Sequence, residues 1–257
     1  MQQNTLVRLK ENLELKKPIL VVGLPGVGLV GKLVAEHLVD ELGAEKIMEI
    51  YSPYFPPQVM VNKDCTVRPV SNIIYYGKAK DNDILFLVGD HQSTTSQGHY
   101  ELCSLYLDIA EEFGVTRIYT LGGYPTGKLT YDETVLGVAN STELIEEIKE
   151  YGVEFRESEP SGGIVGASGL LVAFSKMRGI DAVCLMGMTP GYIMDPKSAQ
   201  SLLKIFCKIF DLDVNTESLE KKAEEMESIL EKLKEKEEQQ HAIQEIKPTE
   251  EDLRYIG

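Results

Sequence analysis

The sequence is poor in the residues that build many of the commonest sites. Its four cysteines, Cys65, Cys103, Cys184 and Cys207, lie far apart, with no CxxC and no Cys/His ligand spacing. That pattern argues against a zinc site or a dense disulfide framework and fits a reducing cytoplasm. Basic residues are outnumbered, 26 Lys and Arg against 41 Asp and Glu, for a formal net charge of -15. A surface of that sign repels phosphate backbones and anionic headgroups, so neither nucleic acid nor membrane is an expected partner. No run approaches the roughly 20 apolar residues that cross a bilayer. The opening stretch MQQNTLVRLKENLELKKP has no apolar signal core, and a cytoplasmic location is expected. No GxSxG elbow is present, and a triad in the chain order Ser, Asp, His would have to end on His241.

What is present is an alternation of short apolar runs with helical patterns. The 257 residues, 43% hydrophobic, suffice for one principal domain. PILVVG from Pro18, KIMEIYS from Lys46, SNIIYYG from Ser71, DILFLVG from Asp83, TRIYTLGG from Thr116 and DAVCLMG from Asp181 read as strands, several of them covered on both faces. Between them, Leu29 to Leu42, His99 to Phe113, Ser141 to Tyr151, Val165 to Arg178 and Pro196 to Phe210 have a period near 3.6. Four of these five segments stop at Gly43, Gly114, Gly152 and Gly179. The pattern predicts an α/β protein, a three-layer α/β/α sandwich with a mostly parallel central sheet. The stretch from Pro56 to Lys80 carries no helical period and is expected to add a hairpin to one edge of that sheet.

The composition changes after Asp213, with 13 acids and 7 bases between 215 and 257. The chain is therefore divided into an α/β body (1–213), a C-terminal helical arm (214–240) and a flexible tail (241–257). Leu219, Ala223, Met226, Leu230 and Leu233 alternate four and three apart and form one helical stripe, about two heptads long, suited to packing on the body or on a sister subunit. Pro248 and the charges around it then make a solvated tether, which ends in Leu253, Arg254, Tyr255, Ile256 and Gly257.

Two stretches could carry chemistry. In VVGLPGVGLVGKL, from Val21 to Leu33, Gly26, Gly28 and Gly31 satisfy GxGxxG, and Glu49 stands at the distance of a ribose-binding acid. The same residues read GxxxxGK, but Leu33 replaces the hydroxyl that holds magnesium in a phosphate-binding loop, and Pro25 removes an amide. The bland alternative is a tight strand-to-helix turn with close helix packing, and it is the preferred one. GDHQSTTSQGHYELC, from Gly89 to Cys103, could present Asp90, His91, Ser93 or His99 at a sheet edge, or simply cap a helix. PSGGIVGASGLLVAF offers only Ser161 and Ser168 and is expected to open a helix against the sheet, while GYPTGKL and MTPGYIMDPKSA read as surface loops.

Five blocks in order, PILVVGLPGVGLVGKLVAEHL, LVGDHQ, TLGGYPTG, GIVGASGLL and LMGMTPGYIMDP, resemble the archaeal branch of the proteasome assembly chaperone 2 family over residues 10 to about 210. The resemblance implies a phosphorylase/hydrolase-like α/β/α body without catalytic activity, and no cofactor, catalytic residue or metal. It also implies an ATP-independent factor, a homo-oligomer such as a tetramer or pentamer, that helps proteasome α subunits assemble into the 20S core. The tail gains a meaning from it, since a terminal hydrophobic, Tyr, any-residue motif enters pockets between α subunits and pairs its carboxylate with a lysine. Here Tyr255 stands third from the end, and Leu253, Tyr255, Ile256 and Gly257 are the candidate partner-binding residues. The alternative is a nucleotide-binding or ATP-grasp-like enzyme that uses the glycine-rich turn from Gly26 to Gly31.

Overall fold

The computed structural model describes residues 3–226 and 228, apart from 11–12, 81, 128–131, 158 and 161. A short strand, β1 (Thr5–Arg8), precedes β2 (Ile19–Gly23), which passes through a 3₁₀ turn (Val27–Leu29) into α1 (Val30–Glu41). Next come β3 (Glu45–Tyr51), the paired short strands β4 (Val59–Val61) and β5 (Val67–Pro69), and β6 (Asn72–Lys78), with no helix among them. β7 (Asp83–Gly89) leads to α2 (Ser96–Glu112), and β8 (Arg117–Pro125) to β9 (Val135–Ala139) and α3 (Thr142–Lys149). α4 (Ala167–Met177), β10 (Asp181–Thr189) and α5 (Pro196–Phe210) complete the body, and residues 217–226 form a further helix.

Eight strands make one sheet in the order β1-β3-β6-β7-β2-β8-β10-β9. Its centre, β7-β2-β8-β10, is parallel, and the strands on either side are antiparallel. The runs ILVVG and DILFLVG, buried at every position, occupy this centre, because only a strand covered on both faces can be apolar at consecutive residues. On one face Leu102, Tyr106 and Leu107 of α2 and Leu171 of α4 join the core, and on the other Val34 and Leu38 of α1, Leu202 and Phe206 of α5, and Leu144 of α3 do so. These are the three layers expected. Gly43, Gly114, Gly152 and Gly179 all take positive φ just past a helix, which is the left-handed stop their placement predicts.

The stretch between Pro56 and Lys80 differs from expectation in one respect. β6 enters the interior of the sheet between β3 and β7, while β4 and β5 pair only with each other as a separate ribbon. β6 can lie inside because it is itself half apolar: Ile74 is fully buried in the core, and the buried Asn72 donates its Nδ2 to the Tyr106 hydroxyl at 2.8 Å, although its Oδ1 has no partner among the described residues. The helix 217–226 lies against the body, with Leu219 and Ala223 buried and Ser218 Oγ 3.0 Å from Nδ1 of the buried His37 on α1.

Candidate functional site

The glycine-rich turn sits at the C-terminal edge of the parallel strands, and its geometry shows what its glycines do. Methyl groups on Gly31 and Gly123 would overlap the carbonyl oxygens of Leu121 and Val27. A methyl on Gly23 would meet the side chain of Ala35. Gly28, at φ +61, lies where an added carbon would come 2.7 Å from Thr189 Oγ1. The glycines let α1 start in backbone contact with β8, closer than any side chain allows. Gly26 is the exception, with nothing nearer than 3.9 Å to an added carbon.

The other elements of a nucleotide site point elsewhere. Lys32 donates to the Gly89 carbonyl at 3.0 Å and pairs with Glu36 at 3.4 Å. Glu49 lies on β3, separated from β2 by β6 and β7, so its spacing in the chain does not bring it to the turn. Its carboxyl is held below the usual range by hydrogen bonds from Lys46 and Tyr51, and the Tyr51 hydroxyl is pushed up to about 12 by the same bond to Glu49.

The polar stretch after β7 is likewise engaged. Asp90 receives a two-pronged bond from Arg68, at 2.5 and 2.9 Å, and the Ser71 amide at 3.0 Å. Burial raises the Asp90 carboxyl, but Arg68 and Ser71 outweigh it, and the net shift is downward. His91 Nε2 lies 2.9 Å from the Gln58 amide nitrogen, and Ser93 donates to the Thr95 carbonyl at 2.8 Å. Thr95 caps α2 by accepting from Gly98 N at 3.1 Å, as a helix-capping loop should. His99 lies in the first turn of α2, and the backbone carbonyl of Ser168 accepts from Thr120 at 3.4 Å. Burial pushes the Cys103 thiol up to about 12 and Cys184 and Cys207 up to about 11, which suppresses the reactive thiolate. Among the described residues no three His, Cys, Asp or Glu side chains are grouped to hold a metal.

These contacts draw the sequence blocks together. Gln92, which no motif singled out, donates to the Pro25 carbonyl at 2.7 Å and accepts from the Ala167 amide at 2.9 Å, joining the loops after β2 and β7 to the start of α4. Asp195 N donates to Gly28 O at 2.9 Å, and Thr126 N to Thr189 O at 2.8 Å. All five blocks therefore meet at one edge of the sheet. They form a crest whose exposed side chains include the apolar Val27, Val165, Tyr192 and Met194. Ser161, His241 and the tail residues Leu253, Tyr255, Ile256 and Gly257 lie outside the described residues.

Fold and crest together define a three-layer α/β/α domain whose sheet edge is closed by glycine-rich and polar loops. The family model of the PAC2 family matches residues 20–234, and the chain belongs to that family. It is 41% identical over 251 residues to an uncharacterized protein of Methanocaldococcus jannaschii, covering 97% of this chain and 96% of that one. A second uncharacterized protein of the same organism is 32% identical over 234 residues, 88% of this chain and 89% of the other. Among solved structures, Pyrococcus furiosus PbaB, an archaeal proteasome activator, superposes with a TM-score of 0.85 at 40% identity, over 91% of this chain and 100% of that one. Pyrococcus furiosus PbaA, an archaeal homolog of proteasome-assembly chaperone, gives 0.76 at 26% identity, over 95% and 97%. No described helix is long and apolar enough to cross a membrane.

Proposed function

We propose that this chain is an ATP-independent proteasome assembly chaperone. It binds proteasome α subunits, partly through Leu253, Tyr255, Ile256 and Gly257, and promotes assembly of the 20S core. The observation that carries this is the likeness to the archaeal proteasome activator, 40% identical and matched over the whole of its solved chain. The geometry of the glycine turn supports ATP independence, because its glycines are used against backbone and its lysine is bound to Gly89 and Glu36. The crest, with its exposed apolar side chains, is suited to protein contact. The working form is a homo-oligomer, a tetramer or pentamer in the cytoplasm, so that several tails engage one ring of α subunits and add avidity.

Capture of proteasome α subunits by the full chain, compared with a chain ending at Asp252, tests this. Full capture by the former and nearly none by the latter is the expected result. If each tail contributes about 2 kcal/mol, the loss of several linked tails far exceeds the tenfold per about 1.4 kcal/mol of a single contact. Equal capture by both would remove the tail from the mechanism, and capture by neither would remove the function.

A further inference from the structure

The loops that build the crest carry no charge. Residues 24–31, 121–127, 162–170 and 186–194 contain no Asp, Glu, Lys or Arg, in a chain of which 26% is charged. They come from four separate places in the sequence, and the fold brings them to one edge, where Val165 is 93% exposed and Tyr192 63%. An open notch of about 280 Å³ lies there between the turn from Gly26 to Leu29 and the loop from Gly191 to Met194. Solvation alone favours charge in exposed loops, whereas the centre of a protein contact is marked by depletion of charged side chains and by Tyr and Met.

The arm addresses the same edge. Asn215 N donates to Glu41 Oε2 at 3.2 Å, at the foot of α1, and Ser218 lies on His37, one turn nearer the crest. The helix 217–226 therefore climbs α1 in reverse. At about 1.5 Å per residue, Met226 stands about 12 Å above Ser218, close to the level at which α1 begins. Lys222, on the way, shares a cavity with Gly89 and Asp90 at the crest end of β7. Residues 227–257, with Leu253 to Gly257 at their end, thus set out from the crest side of the body and not from the opposite edge.

We propose that the crest is a second contact surface for the proteasome α subunits that the tail engages, and that it meets an uncharged, apolar patch on them. The inference rests on the reading of this chain as a chaperone of α subunits and adds which face the body presents. A tail that leaves beside the crest draws its partner towards that edge. Two contacts joined by one chain then reinforce each other, because the first raises the local concentration for the second. Tyr192 and Val165, the most exposed apolar side chains of the crest, are the anchors of this contact.

The test measures capture of proteasome α subunits by the full chain carrying Val165→Asp and Tyr192→Ala together, beside the wild type and a chain ending at Asp252. The double variant, its tail intact, should bind about tenfold or more weakly, as loss of an aromatic anchor does. Lys80→Asp, in the turn between β6 and β7 at the opposite edge of the sheet, changes the charge by more and should bind as the wild type does. Sedimentation and thermal melting should be unchanged in both, since the altered side chains are exposed. A photoreactive cross-linker at position 192 should join an α subunit, and one at position 80 should not. Undiminished capture by the double variant overturns the crest as a contact and leaves the tail reading in place. A loss of mass in that variant would put a second copy of the chain on the crest and overturns the inference as well. No capture by the wild type removes the reading beneath it and the inference with it.

Discussion

Gly31 and Gly26 look alike in the sequence motif and differ in what surrounds them. A side chain at Gly31 would enter the backbone of β8, whereas a methyl at Gly26 would make only ordinary contacts, at 3.9 Å, with Gln92 and the Leu24 carbonyl. Gly31→Ala should therefore cost at least about 2 kcal/mol in urea unfolding, as overpacking against unyielding backbone does. Gly26→Ala should stay within about 0.5 kcal/mol. If the turn cradled a phosphate, Gly26 would matter for binding, so calorimetry with ATP and with NAD is the companion measurement, and no heat of binding is expected from wild type or variant. Asp90 gives a prediction of a different kind. Its carboxyl titrates below the usual range in the folded chain, so its contribution is complete above the unfolded value of about 3.9 and disappears as pH falls through the folded value. The melting temperature of the wild type should fall more steeply below about pH 4 than that of Arg68→Met, which lacks the partner.

The elements differ in how openly the sequence announces them. The buried central strands and the glycine-stopped helices were legible because apolar runs and left-handed stops follow from local chemistry. β9 was not, because its five residues are broken by Gly137, and that glycine is needed where the ring of Phe155 and the side chain of Val153 lie over it. β1 has four residues, and of these only Leu6 packs on the core. The crest was half legible: its blocks stood out, but that Gln92 ties them together depends on loops distant in the chain, as does the separation of Glu49 from the turn. Of the expected stripe, Leu219 and Ala223 on the helix 217–226 are buried, Leu219 wholly so, while Leu230 and Leu233 lie outside the described residues. Leu219→Ala should lower stability by about 2 to 4 kcal/mol, read from urea unfolding, in the range for buried leucines. A cost below about 0.5 kcal/mol would mean that the helix leaves the body in solution.

At the scale of the whole molecule, the proposed self-association has to work against charge. Copies carrying -15 each should associate more tightly as salt screens their repulsion, so sedimentation equilibrium should give a higher association constant at 0.5 M than at 0.05 M sodium chloride. Weaker association at high salt would show that ion pairs hold the copies together. The ribbon carries one more consequence. It departs from the sheet after β3, returns just before β6, and is fastened to the body mainly by Met60 and the Arg68–Asp90 pair. The large core clusters need nothing from its tip, from Asn62 to Thr66. The tip is therefore a graft point, where a binding peptide or a fluorescent reporter can be inserted while the eight-stranded sheet folds as before.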